Sequence, residues 1–256
     1  MMSLLDLAKA AALAAGRLQR EYYQREVKVN FKGEIDLVTE VDLMSERLIV
    51  SLLEASGLPV LGEEQAKTEP KGRYWLIDPL DGTTNYAHKF PWFAPSIALM
   101  EDHLPLLGVV YHVMFDELFW AVRGEGAYLN GEPVKVSSVS KLGLAVLATG
   151  FPYGVHQEPE KVVGAFHDFL VRAQGVRRAG AAALDLAYVA CGRFDGFWEP
   201  LLKPWDTAAG ILLVEEAGGK VSNYKGEKFD PFQRHIVASN GSIHEEMILI
   251  TSKYVP

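Results

Sequence analysis

Three observations predict a mixed α+β chain. Stretches with helical periodicity stand near both ends, at Leu4 to Tyr23, Glu40 to Ala55 and Ile243 to Lys253. Between them, short apolar runs around Val60, Leu76, Ile97, Val109, Leu118 and Ala127 are separated by polar connections such as Glu101-Asp102-His103 and Phe115-Asp116-Glu117. Connections that short are those of hairpins, so this block reads as antiparallel sheet. In the second half, apolar strands near Val146, Val176 and Phe197 alternate with helical patterns over Val162 to Val171, Leu184 to Cys191 and Thr207 to Ala217, which adds a second layer of strands and helices.

The chain has 256 residues, 49% of them hydrophobic, enough for a substantial core. No Pro/Gly/Ser linker, repeat or low-complexity tract divides it, so one domain over residues 1–256 is expected, with approximate halves 1–145 and 146–256. The acid-rich Glu63 to Glu69 segment reads as an active-site loop, not a linker. A net charge of −8 argues against nonspecific nucleic-acid binding. Arg177-Arg178 is a small exception, read as solvated or as a subunit contact. The amino-terminal apolar stretch carries Asp6, Lys9, Arg17, Arg20 and Glu21, the pattern of an amphipathic helix and not of a signal peptide. No run is long enough to span a membrane, and a soluble cytoplasmic protein is expected. The single cysteine, Cys191, lies in a helical pattern and reads as a buried inert thiol. The seven histidines form no close ligand pair of the zinc-protease kind, and His88, near the phosphate turn, is read first as an exposed or satisfied structural histidine and second as a cleft-rim residue.

Chemistry concentrates in Tyr74 to Asn85, where the apolar run Tyr74-Trp75-Leu76-Ile77 delivers Asp78 and Asp81 and then the turn Gly82-Thr83-Thr84-Asn85. Pro79 has no N–H and interrupts a strand ladder, Gly82 permits a tight turn, and the hydroxyl residues can open a helix whose free amides attract an anion. The same residue types also make ordinary surface turns. Two further acidic sites change the balance. Gly62-Glu63-Glu64 follows the strand-like Leu58 to Leu61, and Asp206 stands at the start of the helix that runs from Thr207 to Ala217 and stops at Gly218-Gly219. Asp206 has a plain alternative as a helix cap worth about 1 kcal/mol. Its neighbours Ala208, Ala209 and Gly210 are small enough to let this helix start approach another backbone or a ligand closely.

Taken together, Gly62 to Glu64, the WLIDPLDGTTNY segment from Trp75 to Tyr86, and Trp205 to Gly219 make the sequence resemble the inositol monophosphatase family of magnesium-dependent, lithium-sensitive sugar phosphatases. Val38 to Asp42 and Gly180 to Glu199 extend the resemblance over nearly the whole chain. It implies a layered α/β/α/β/α sandwich of the sugar phosphatase type with mixed, largely antiparallel sheets, and a homodimer. It makes Glu63, Asp78, Asp81 and Asp206, with the backbone carbonyl of Leu80, ligands of two or three Mg²⁺ ions. That donor set suits the ion, since Mg²⁺ prefers oxygen and keeps several waters. Two carboxylates 4 Å apart repel by roughly 4 kcal/mol at an effective dielectric of about 20, so four in one cleft imply cations among them.

The mechanism that the resemblance implies is direct attack of metal-activated water on a phosphate monoester, most simply inositol 1-phosphate. Thr83 matches the residue that orients the water, Asp42 the acid that hydrogen-bonds this threonine, and Glu63 is a second candidate for assisting the water. Substrate contacts are expected from Asp81, Gly82, Thr83, Asp206 and Glu199, and from the backbone of Gly180, Ala181 and Ala182. The family commonly has Thr or Ser where Ala181 stands, and Gly150-Phe151-Pro152-Tyr153 lacks a serine that some animal members place near the substrate. Inositol is therefore less firmly implied than phosphatase chemistry. Fructose-1,6-bisphosphatase, nucleotide bisphosphatase and NADP phosphatase activities stay open, as does an RNA polymerase or RNA-processing adaptor role. A phosphoaspartyl mechanism fits poorly, because it places its two aspartates two residues apart whereas Asp78 and Asp81 are three apart.

Overall fold

The structure, a computed structural model, describes residues 2–25, 29–31, 37–64, 70–152, 154–156 and 159–255. In chain order the elements are α1 (Leu4–Tyr22), β1 (Val29–Phe31), β2 (Leu37–Thr39), α2 (Glu40–Leu53), β3 (Val60–Gly62), β4 (Arg73–Asp81), α3 (Thr83–Ala87), β5 (Ala94–Glu101), β6 (Leu104–His112), β7 (Glu117–Val122), β8 (Gly126–Leu129) and β9 (Glu132–Pro133). The second half adds β10 (Val146–Thr149), α4 (Pro159–Leu170), β11 (Gly175–Arg177), α5 (Ala182–Ala190), β12 (Gly196–Pro200), α6 (Pro204–Glu216), β13 (Lys220–Ser222), β14 (His235–Ser239) and α7 (His244–Thr251).

A seven-stranded sheet runs in the order β3-β4-β5-β6-β7-β8-β9. It is antiparallel as expected except at its first edge, where β3 pairs parallel with β4. The exception follows from the connection: residues 63–72 separate these two strands, far more than the two or three of a hairpin. The turns at Asp102 and Asp116 that join β5 to β6 and β6 to β7 put those residues at φ 50° and 57°, a conformation that aspartate tolerates well. A five-stranded sheet in the order β11-β10-β12-β14-β13 is mixed, with β10 parallel to both β11 and β12 and the β12-β14-β13 side antiparallel. The short strands β1 and β2 pair with each other.

Five layers result. Helices α1 and α2 pack on one face of the seven-stranded sheet, α5 and α6 lie between the sheets, and α4 and α7 cover the outer side of the five-stranded sheet. The periodicity of α1 explains its place: Leu7, Ala8, Ala11, Ala12 and Ala15 form one buried stripe, and the Ser3 side chain caps the helix by accepting the Asp6 amide at 3.1 Å. Helix α5, apolar apart from Asp185 and the Tyr188 hydroxyl, is buried along its whole length. The small residues of α6 allow close approach to other protein elements: a Cβ at Gly108 of β6 would stand 2.8 Å from the Ala209 carbonyl oxygen, and one at Gly210 would stand 2.6 Å from Leu186 of α5. No helix among the described residues is long and apolar enough to cross a membrane.

Candidate active site

A cleft of about 450 Å³ opens where the end of β4, the start of α5, the end of β12 and the start of α6 meet. Glu63, Asp78, Leu80, Asp81, Gly82, Thr83, Gly180, Ala182, Glu199 and Asp206 all line it. Segments as far apart in sequence as Glu63 and Asp206 are thereby brought to one surface.

Strand geometry alone would not bring Asp78 and Asp81 together, because residues three apart in a regular strand point to opposite faces. The pairing of β4 with β5 shifts register between them, in a bulge at Pro79-Leu80 where proline can donate nothing to the ladder. Both carboxylates consequently reach the same cleft. The bulge is held from outside the sheet by Gln19 of α1, whose Nε2 donates to the Pro79 carbonyl at 2.7 Å and to Ser45 Oγ at 3.2 Å. Asp78 accepts the Leu80 amide at 3.0 Å.

Gly82 follows at φ 92°, in the left-handed region. A Cβ there would also lie 2.8 Å from the Trp92 carbonyl oxygen, so only glycine fits. The chain then enters α3. The Thr83 hydroxyl lies 2.7 Å from Asp42 Oδ1 and 3.1 Å from the Leu80 carbonyl. Asp42 is 1% exposed, and its other oxygen accepts the Thr39 amide and hydroxyl in the capping box of α2. Its carboxyl is pushed up by burial, with the hydrogen bonds from Thr39 and Thr83 opposing.

Asp81 reaches across to α5. Its Oδ2 accepts the Ala183 amide at 2.7 Å, giving the helix a cap that Ala181, at its own N-cap position, has no side-chain oxygen to supply. Asp206, third residue of α6, accepts the Lys203 amide at 2.7 Å. The capping role and the cleft position thus coexist in one side chain.

The cleft is electrostatically loaded. Burial, then the charges of Glu63, Asp81 and Asp206, hold Asp78 well above the usual carboxylate range. Burial, then Glu63 and Asp81, do the same to Asp206. Asp81 is pushed up to about 7 by burial, against the Ala183 amide, which favours its charged form. Protons or cations must gather here. Among the described residues no three acidic, histidine or cysteine side chains converge tightly enough to cage an ion alone. The donors instead suit an ion whose shell is completed by a carbonyl, water and phosphate oxygen, as Mg²⁺ prefers.

On the far wall Glu199 of β12 is 7% exposed, and its carboxyl is pushed up to about 8 by burial and by Asp81, with Arg178 opposing. The Gly150 backbone passes against it: a Cβ at Gly150 would fall 2.2 Å from Glu199 Oε2. Gly180, at φ 91°, and Ala182 line the cleft, whereas Ala181 is 2% exposed behind them. Asn85 ties this wall to the α3 turn, its Nδ2 facing the carbonyl oxygens of Trp92, Ala179 and Gly180 at 2.8, 2.9 and 3.2 Å.

The sequence reading missed three members. Arg178, expected to be solvated or at a subunit contact, lines the cleft, with its guanidinium 5.6 Å from the Phe151 ring centre; its position two residues before Gly180 was the available signal. Asn85 and Gln19 act through carbonyls distant in sequence, and no spacing rule announces them. Asp185 of α5 is fully buried behind the wall and held well above the carboxylate range by burial, Glu199 and Asp81. His88 is exposed at the end of α3. Cys191 is part-buried, its thiol pushed up by burial, consistent with inertness. Residues 65–69 of the acidic segment and Tyr153 lie outside the described residues.

Comparison with known proteins identifies the family. The profile of the inositol monophosphatase family matches residues 1–255. An inositol-1-monophosphatase of Synechocystis sp. is 40% identical over 252 residues, 96% of this chain and 88% of its own length. The Nus factor SuhB of Pseudomonas aeruginosa is 41% identical over 266 residues, 100% of this chain and 98% of its own. The solved inositol monophosphatase of Anabaena (Nostoc) sp. superposes with a TM-score of 0.89 at 41% identity, covering 98% of this chain and 96% of that one. Its five layers and the match along its length place the chain in the inositol monophosphatase family, whose members are metal-dependent phosphoric monoester hydrolases.

Proposed function

We propose that this cleft hydrolyses a polyol phosphate, inositol 1-phosphate to inositol and phosphate, in a magnesium-dependent and lithium-sensitive reaction. The observation that carries the reading is that Glu63, Asp78, Leu80, Asp81 and Asp206 line one cleft, together with Thr83, which is hydrogen-bonded to Asp42. Those four carboxylates and that carbonyl are the groups that would hold Mg²⁺. The bound ion supplies Lewis-acid activation of water and neutralises charge on the phosphoryl group.

The chain's own residues do the rest. With the Thr83 proton directed to Asp42, the threonine oxygen is left as an acceptor that orients an attacking water. Amides at the Gly82–Thr83 turn face the phosphate oxygens. The polyol lies toward Glu199, which at neutral pH holds its proton and so both donates to and accepts from a hydroxyl. The backbone at Gly180 and Ala182 closes that side.

Phosphate release from inositol 1-phosphate, fructose 1,6-bisphosphate, adenosine 3′,5′-bisphosphate and NADP, with and without Mg²⁺ and Li⁺, tests the reading, with Asp81→Asn as control. Preference for inositol 1-phosphate supports it, preference for another ester replaces the substrate and keeps the chemistry, and absence of magnesium-dependent turnover overturns it. Similarity to a relative named as a Nus factor favours a second, compatible role in binding a transcription partner. Partner capture by the Asp81→Asn protein would separate that role from catalysis.

A further inference from the structure

Helix α2 meets the segments that line the cleft with one polar face. Asp42, Ser45 and Glu46 stand at positions i, i+3 and i+4 and are all buried, so their side chains project side by side. Asp42 accepts from Thr83, and Ser45 accepts from Gln19, whose amide also holds the Pro79 carbonyl of the bulge. The third of them, Glu46, is 1% exposed, and its Oε2 accepts the Glu64 amide at 2.8 Å.

The edge position of β3 explains why that amide needs an acceptor from outside the sheet. β3 is the first strand of the seven-stranded sheet, and successive amides of a strand point to opposite edges. The Glu63 amide points inward and donates to the Ile77 carbonyl of β4 at 3.2 Å. The next, that of Glu64, points away from β4 and meets Glu46. The backbone of Glu63 is thus pinned from both sides. An apolar side chain in place of Glu46 would fill the space without the cost of burying a carboxyl group, but would leave this amide without its acceptor. Gly62 shows how closely the group is seated, since a Cβ there would stand 2.6 Å from Glu46 Oε2 and 2.7 Å from its Cδ. The glycine ahead of the two glutamates makes room for a carboxyl group from another element.

We propose that Glu46 is a positioning residue for the metal centre: by fixing the strand end at Gly62 and Glu64, it aims the Glu63 carboxylate into the cleft. The proposal rests on the reading of Glu63 as a ligand of the ion. With Asp42 and Ser45 it makes this face of α2 the common base on which the Thr83 turn, the Pro79 bulge and the Glu63 strand end are set relative to one another.

Calorimetric titration with Mn²⁺ tests this without turnover. Glu46→Ala is expected to weaken the ion at least about tenfold, the usual cost of losing a group that orients a ligand. Glu46→Gln keeps an oxygen for the Glu64 amide and is expected to stay within about threefold of wild type. The decisive comparison is made in a Glu63→Gln background, because a merely structural role would not depend on Glu63. There Glu46→Ala should add less than about a twofold loss, since the side chain it aims is already disabled. Gly62→Ala presses on the same carboxyl group from the other side; the atoms it strikes are the end of a side chain, so the strand itself is spared. It should reproduce the loss, and it carries the test should Glu46→Ala fail to fold. Wild-type affinity in folded Glu46→Ala or, failing that, in Gly62→Ala overturns the proposal and leaves the metal reading intact. So does a glutamine variant as weak as the alanine one, or a loss of the same size with Glu63→Gln present as without it. Wild-type affinity in Glu63→Gln alone overturns both.

Discussion

The Thr83 hydroxyl and the Asp42 carboxylate stand 2.7 Å apart, and the second oxygen of Asp42 is already engaged by Thr39. Asp42 therefore presents one acceptor to the Thr83 hydroxyl in a fixed direction. Thr83→Ala and Asp42→Asn are expected to lower kcat by roughly 10²- to 10⁴-fold, the usual range for loss of a proton-transfer partner, with little change in KM. Asp42→Asn should in addition lose about 1 kcal/mol of stability through the α2 cap. Steady-state kinetics and thermal melting separate the two effects, and a kcat within a few-fold of wild type would remove the pair from the mechanism.

Asp81→Asn and Asp206→Asn remove cleft charge while leaving an oxygen for the Ala183 and Lys203 amides. The fold should survive and affinity for Mg²⁺ or Mn²⁺ should fall by more than the roughly 10- to 100-fold typical of a change outside the coordination shell. Calorimetric titration reads this directly, without turnover. Unchanged affinity would mean that the ion binds elsewhere.

Acidity gives a third test. In the folded chain Asp81 titrates near 7 in place of 3.8, and Glu199 near 8 in place of 4.5. Between those limits the folded state keeps protons that the unfolded chain has released, so this contribution to stability is complete below about pH 4 and is lost as pH rises through 7 to 8. Without divalent ions, melting temperature should accordingly carry a downward component over that interval. Because the ion needs deprotonated carboxylates, the increase on adding Mg²⁺ should be larger at about pH 8 than at about pH 5. Differential scanning fluorimetry in chelator and in Mg²⁺ checks both signs.

Gly82→Ala meets both a positive φ and the Trp92 carbonyl. A cost of about 1–3 kcal/mol is expected, with a parallel loss of kcat as the Thr83 turn moves. A melt unchanged from wild type would show that the turn can relax.

Much of the site was legible because its residues cluster in three short segments whose chemistry is local. Helix α1 was readable from its alanine and leucine stripe, and α6 from its aspartate start and double-glycine stop. Boundaries drifted where a proline permitted an earlier start, as at Pro159 of α4 and Pro204 of α6. Strands β13 and β14 were not anticipated, since their few residues acquire strand character by pairing with β12 and with each other. The parallel β3–β4 edge depends on the long connection that lets Val60 pair with Trp75, and the roles of Gln19, Asn85 and Arg178 depend on contacts over 60 to 95 positions or on a wall assembled from both halves. Local periodicity carries no record of such partners.

The bare backbone of Gly150 has a further meaning for comparing relatives. Since even a methyl group there would collide with the Glu199 carboxylate as it now stands, a side chain at position 150 and this placement of the acid are mutually exclusive. A relative with serine at that position must hold its corresponding acid in another orientation, even if the two aligned sequences share the glutamate. Substrate preference should therefore be transferred between such proteins by the pair of positions, never by the acid alone; here the discriminating element is an atom that the chain does not have.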